Sequence, residues 1–361
     1  MSTPTLYDST RAALQSRLPQ VIESQRTNLA LLVAAAAQTQ SCHLADLARA
    51  LPLRTQQESK QQRIRRTLDN TRIQQRTHYR PIVQTALHGL RGQAVSVLID
   101  RVILNDHFNV LAVSAAFRHR SVPLHWDVLE HEGASSADEQ IAAVQAGIAA
   151  LPAGARVTVQ GDGEFRSTEL FRWARQQGYH AILGVSSATY VYTDADGATV
   201  GQPIAERYGD RRDVLFLHGV YLTHERFGPV NLIIWWDQDA DGDRIRAVMT
   251  DLPATRRTFQ RGKRRMWIET LFRDWQSSGF HLNSTGLLDA DRLARLLIPL
   301  VIAYLLFLSI GRWVVKRGYR TLIDDGTPDA WHYSLFQLGI GWMEHLRGRN
   351  QQIPIILYLY C

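Results

Sequence analysis

The chain has 361 residues, 45% of them hydrophobic, with 41 Lys/Arg against 34 Asp/Glu and a formal net charge of +7. That length leaves room for two or three structural units and at least one sizeable core, and excludes a small domain held together by disulfides or a structural metal. The basic excess is mainly arginine, whose planar fork suits phosphate oxygens, so the expected partner is a polyanion. Two cysteines, Cys42 and Cys361, cannot build a disulfide framework, and the polar start MSTPTLYDSTRAALQSR lacks the basic-then-apolar pattern of a secretory leader. Both features predict a reducing, cytoplasmic setting.

Residues 1–90 read as helical. TNLALLVAAAAQT is an alanine-rich helix former, and HLADLARAL repeats apolar positions at helical spacing. Between Arg54 and Arg80 lie eight Lys/Arg, Arg63 and Arg66 among them, against the two acids Glu58 and Asp69. Such a one-sided run fits either a solvated helix face or a DNA-contacting helical module. From Ala94 the pattern changes. AVSVLIDRVIL, FNVLAVSAAF and SVPLHWDVL predict antiparallel strands, followed by the helix SSADEQIAAVQAGIAAL with Ser135 or Ser136 as N-cap. ARVTVQGDG predicts a buried strand ending in a turn, STELFRWARQQG a helix closed by Gly178, and YHAILGVSS another strand. This order predicts an α/β core with a mixed sheet over 91–185.

Over 186–251 several short strands (TYVYT, VLFLHGVYLT, VNLIIWWD, RIRAVMTD) predict a β-rich insertion. The core resumes over 252–320, and a C-terminal tail with one more helix and an apolar end occupies 321–361. LLIPLVIAYLLFLSIG (296–311) is apolar but only 16 residues long and bracketed by arginines. It predicts a buried core helix rather than a membrane span.

RRMWIETLFRDWQSSGF around Glu269 is the most informative stretch. At about 100° per residue, a helix would gather Arg265, Glu269, Arg273 and Gln276 within an arc of roughly 80°. Ile268, Leu271, Phe272 and Trp275 would form a separate apolar stripe. Two further carboxylates stand out by position. Asp100 closes VSVLID, and Asp162 closes VTVQGD between Gly161 and Gly163. Each alone fits an ordinary turn residue. Converging, the three would suit Mg²⁺, a hard cation that takes oxygen ligands. Two such ions, about 4 Å apart, serve phosphodiester chemistry. RRTFQRGKRR (256–265), with Lys263 and Arg264, places six basic residues just before Glu269 and fits a DNA-guiding link.

With these residues in place, the chain resembles the DDE transposases of bacterial insertion sequences, in the cut-and-paste branch, over roughly 25–318. VQGDGEFRSTELFRWARQQGYHAILGV resembles the strand–Asp–x–x–Phe context at Asp162 and Phe165. Arg265 and Glu269 fit a signature of Tyr, two residues, Arg, three residues, Glu, six residues, Lys. The segments SSGFHLNSTGL and RLARLLIPLVIAYLLFLSIG resemble the region C-terminal to the glutamate in this branch. The signature's Tyr and Lys positions hold Gly262 and Gln276, and Asp100 is followed by Arg101 rather than Gly-Thr.

The resemblance implies an RNase H-like core interrupted by a β insertion and preceded by a helical DNA-binding domain. It implies Asp100, Asp162 and Glu269 as catalytic ligands of two Mg²⁺ ions, with Mn²⁺ able to substitute. It further implies cleavage of double-stranded DNA at terminal inverted repeats through a hairpin, strand transfer into target DNA, and a homodimer on DNA with no membrane partner. Arg265 and the residue at 276 would meet phosphates, and Trp235 or Trp236 would stabilise a flipped base at the hairpin. The alternatives are a decayed transposase that only binds DNA, favoured by Gly262 and Gln276, and a related metal-dependent nuclease. DQDADGD (237–243) lacks the glutamate of a calcium loop, having Val248 there, and reads as a hairpin turn, as does DADG (194–197). Neither HExxH nor GxxxxGK[ST] occurs, which argues against a zinc protease or an ATP-driven enzyme.

Overall fold

The computed structural model describes residues 5–195, 200–239, 242–328, 330–355 and 357–359. The tips expected as turns at 194–197 and 237–243 lie partly outside these residues, and Cys361 lies wholly outside them.

Residues 5–90 hold six α-helices: α1 (Leu6–Arg17), α2 (Glu23–Thr39), α3 (Leu44–Ala50), α4 (Gln57–Leu68), α5 (Gln75–His78) and α6 (Arg80–Ala86). The alanine-rich α2 is buried from Leu29 through Ala37, because small side chains let neighbouring helices approach closely. Three strands come next, β1 (Ala94–Leu104), β2 (Phe108–Phe117) and β3 (Arg120–Leu129), then α7 (Ala137–Ile148), β4 (Arg156–Gly161), α8 (Thr168–Gln176) and β5 (His180–Val185). Ser136 rather than Ser135 caps α7, in a reciprocal box with Glu139. Gly178 follows α8 at φ +75°, a conformation that glycine adopts without steric cost.

The insertion stretch supplies β6 (Tyr190–Tyr192), β7 (Gln202–Pro203), a short helix α9 (Ile204–Tyr208), β8 (Leu215–Leu222), β9 (Phe227–Asp239) and β10 (Gly242–Thr250). Beyond the sheet the described residues add four α-helices, α10 (Arg256–Gly262), α11 (Trp267–Gln276), α12 (Ala290–Lys316) and α13 (Leu335–Gly348), joined by turns and loops.

The ten strands among the described residues share one mixed sheet, ordered β3-β2-β1-β4-β5-β10-β9-β8-β6-β7. The β1–β4 and β4–β5 pairs are parallel and the others antiparallel. The strands of 186–251 therefore continue the sheet outward from β5. Strand β2 is buried at nearly every position, which requires cover on both faces. Helix α7 packs over β1–β3, and α11 and α12 also pack on this part of the sheet.

Helix α12 is long and apolar enough to cross a membrane, yet 89% of its most apolar window is buried inside the fold. Gly311 and Gly339 let it meet α13 backbone to backbone, since a Cβ at Gly339 would fall 2.0 Å from the Phe307 carbonyl oxygen. The apolar run at 296–311 is thus the centre of a core helix that extends from Ala290 to Lys316.

One buried charge has no counterpart in the sequence-based expectations. Asp274 is 2% exposed and pairs with Arg120 at 3.1 Å, while burial pushes its carboxyl up to about 7 against the pull of Arg120. Arg120→Met should destabilise the fold by about 3 kcal/mol, because it strands a buried carboxylate. A urea midpoint unchanged in that variant would show that the pair contributes nothing to stability.

Candidate active site

Register brings the two aspartates together. Parallel pairing of β1 with β4 ends at Leu98↔Gln160, so Asp100 and Asp162, each two residues further on, emerge level with one another. Strand β1 itself runs on to Leu104 along its antiparallel partner β2. Asp100 is therefore interior to the strand rather than at its end, and faces the gap left where β4 stops.

Asp162 then caps a tight 3-10 turn, Gly163–Phe165. The Asp–x–x–Phe spacing has a packing reason. Phe165 is fully buried and seats against Gly161, where a Cβ would come 2.6 Å from the phenylalanine Cβ. Gly184 on β5 admits the turn from the other side, since a Cβ there would lie 2.3 Å from the Asp162 carbonyl carbon and the Gly163 nitrogen.

Glu269 arrives on α11, whose predicted apolar stripe (Ile268, Leu271, Phe272, Trp275) is buried. The predicted polar arc holds only in part. Helix α11 begins at Trp267, and Arg265 sits before it in a 3-10 turn, Lys263–Met266. The Arg265 guanidinium nevertheless reaches all three carboxylates: Nη1 lies 3.6 Å from Asp100 Oδ2 and 3.9 Å from Asp162 Oδ2, and Nη2 lies 3.4 Å from Glu269 Oε1. The three acids are thereby gathered about one positive charge. Burial, and the neighbouring Asp162 carboxylate, push the Asp100 carboxyl up to about 7.

That shift has a testable sign. The folded chain keeps a proton on Asp100 that the unfolded chain releases near pH 4. Its stabilising contribution is complete below about pH 4 and lost as pH rises through about 7. Melting temperatures of the metal-free protein between pH 5 and 8 should fall less steeply in Asp100→Asn than in the parent. Equal slopes would contradict this.

A cleft of about 850 Å³ opens beside the acids, lined by Asp162, Arg166, Trp235, Arg244, Arg246, Lys263, Arg265 and Glu269, among others. Strand alternation separates the two tryptophans that the sequence left equivalent. Trp235 lines the cleft and meets Phe259 at 5.3 Å, whereas Trp236 packs against the main core. Arg166, Arg244 and Arg246 were missed by sequence reasoning. The alternating arginines of RIRAV, both directed to one face of β10, were the available signal.

The other predicted residues are more dispersed. The Lys263 ammonium lies 4.8 Å over the Phe259 ring at the cleft, and the Arg264 guanidinium lies over Trp267. Arg273 is exposed. Gln276 uses its amide on the Ile103 carbonyl at 3.1 Å, so it rests on the end of β1 rather than in the cleft. Gly262 lies at the end of α10, where a Cβ would come 3.3 Å from Ile182 Cγ2. On α4, Arg63 donates to Asn28 at 2.8 Å and Arg66 is exposed.

A second acidic group, Asp324, Asp325 and His332, holds its ligand atoms within 4.8 Å of one another. Asp324 is already engaged by Arg320 and by the backbone N–H groups of Gly326, His332 and Tyr333. This group caps its own loop.

A mixed sheet that delivers two aspartates side by side, with a glutamate from a covering helix, defines a class of α/β proteins with an all-carboxylate site. The family model described as the transposase DDE domain matches residues 105–306, and the chain belongs to this DDE transposase family. The match contains Asp162 and Glu269 and begins just past Asp100. No match was found among the curated proteins.

Proposed function

We propose that this protein is an insertion-sequence transposase that cleaves double-stranded DNA at terminal inverted repeats through a hairpin and transfers the freed end into target DNA. The observation that carries the reading is the convergence of Asp100, Asp162 and Glu269 on one cation, the Arg265 guanidinium, within 3.4–3.9 Å. An all-oxygen donor set around a site that already calls for positive charge fits Mg²⁺, with Mn²⁺ as a substitute. Two such ions held by these carboxylates would supply activation of the attacking water or 3′-hydroxyl and stabilisation of the leaving oxygen.

The remaining roles fall to the chain's own groups. Lys263, Arg166 and Arg265 give the cleft wall positive charge to seat a phosphate backbone. Arg264 and Arg273, exposed on either side of Glu269, would extend that track. Trp235 presents its ring where a base displaced from the duplex would stack. The order β3-β2-β1-β4-β5 with covering helices supports reading 91–185 and 252–320 as an RNase H-like core, with 186–251 as its insertion and 321–361 as a tail. The basic helices of 1–90, through Arg63 and Arg66, would bind the element's end, and two copies would pair on DNA.

One observation favours a decayed, DNA-binding-only protein: Gln276 carries no charge and its amide is occupied by Ile103. The discriminating assay is purified protein with Mg²⁺ and DNA carrying the element's inverted repeats. Hairpin-ended products that vanish in Asp162→Ala are expected. Binding without cleavage would establish the decayed reading, and nicks without hairpins or joined products would establish a simple nuclease.

A further inference from the structure

We propose that Arg101 and Glu164 form a clamp that sets the separation and orientation of Asp100 and Asp162, making both positioning residues of the site. This rests on the reading of Asp100, Asp162 and Glu269 as metal ligands. Arg101 directly follows Asp100 and Glu164 lies two residues past Asp162, so each stands beside the carboxylate that its backbone meets.

The hydrogen bonds form a chain from one aspartate to the other. The Arg101 backbone N–H donates to Asp100 Oδ1 at 2.8 Å, and the Glu164 backbone N–H donates to Asp162 Oδ1 at 2.9 Å. The same two residues are joined side chain to side chain: Arg101 Nε donates to Glu164 Oε1 at 2.6 Å and Nη2 to Oε2 at 2.9 Å. Each aspartate thus has Oδ1 tied to the clamp, while Oδ2 is the atom that faces Arg265. That division leaves one oxygen of each carboxylate directed at the centre of the site.

A bidentate arginine–carboxylate pair is directional as well as strong, and here it is sheltered, with side chains 18% and 24% exposed. Its third branch is anchored too. Arg101 Nη1 donates to Asn109 Oδ1 at 3.0 Å, and the buried Asn109 donates in turn to the carbonyls of His131 and Gly133. The clamp is therefore fixed to β2 and to the loop after β3. Two carboxylates brought level by strand register repel one another. A cross-link between the residues that orient them opposes that repulsion and holds the spacing before any cation arrives.

The test is Mn²⁺ binding by the full chain without DNA, read from the paramagnetic resonance signal of free Mn²⁺. Arg101→Gln and Glu164→Gln should each weaken affinity about tenfold, the usual cost of losing a group that orients a ligand. The double variant should be no weaker than either single one, because each alone opens the clamp. Arg101→Lys, which cannot bond bidentately, should fall between parent and Arg101→Gln. Parental Mn²⁺ affinity in both folded single variants, or losses that simply add in the double one, would overturn the clamp. If Arg101→Gln does not fold, Glu164→Gln decides alone, its side chain being the more exposed partner. Asp162→Asn is the separate control: parental Mn²⁺ affinity in that variant would sink the metal-site reading itself.

Discussion

Asp162→Asn is expected to reduce cleavage of end-bearing DNA on the order of a thousandfold, the equivalent of several kcal/mol of lost charge stabilisation. The fold should survive, because the asparagine carbonyl can still accept the Glu164 N–H that Asp162 Oδ1 accepts now. Removing one of two facing carboxylates also relieves the repulsion that helps raise the Asp100 carboxyl. Melting temperature near neutral pH should therefore hold or rise while activity collapses. DNA binding measured in chelator should change little, since the seating charges at Lys263 and Arg166 remain. Cleavage at near-parental rates with an intact fold would exclude Asp162 from the chemistry, and with it the assignment of the site.

Gly184→Ala is expected to damage both stability and activity. The added methyl would sit 2.3 Å from backbone atoms of Asp162 and Gly163, and backbone cannot swing aside as a side chain can. Forcing it in should cost about 1–3 kcal/mol. The turn that yields carries Asp162, and a displacement of about 1 Å at a reacting group can cost a hundredfold in rate. Gly163→Ala is the matched control for stability, because nothing lies within 4 Å of a Cβ there and its φ is not left-handed. Its melting temperature should stay near the parental value. If Gly184→Ala melts with the parent, the close approach of β5 does not constrain the Asp162 turn.

Much of this site was legible before folding. Asp100, Asp162 and Glu269 announced themselves by their neighbours: β-branched runs before the aspartates, glycines around Asp162, an amphipathic stripe beneath Glu269. Composition and helical spacing also marked 1–90 as helical, and the short length of the apolar run 296–311 between arginines marked it as a core helix. Other features were illegible for definite reasons. The buried pair Arg120–Asp274 joins residues far apart in sequence, and each looks like an ordinary surface charge. Gly184 resembles any strand glycine until the turn that crosses it is known. Gln276 lay on the right helical arc, but that arc ends against β1, where Ile103 takes its amide.

The family and the mixed α/β class were thus determined by the sequence, which also singled out the three candidate carboxylates, because all of these depend on local pattern and spacing. Their convergence was decided by tertiary structure. Parallel register between β1 and β4 sets Asp100 beside Asp162, strand alternation puts Trp235 rather than Trp236 on the cleft, and the break before Trp267 lets Arg265 reach all three acids. These are contacts between segments distant in the chain, and no local preference encodes which strand ends beside which.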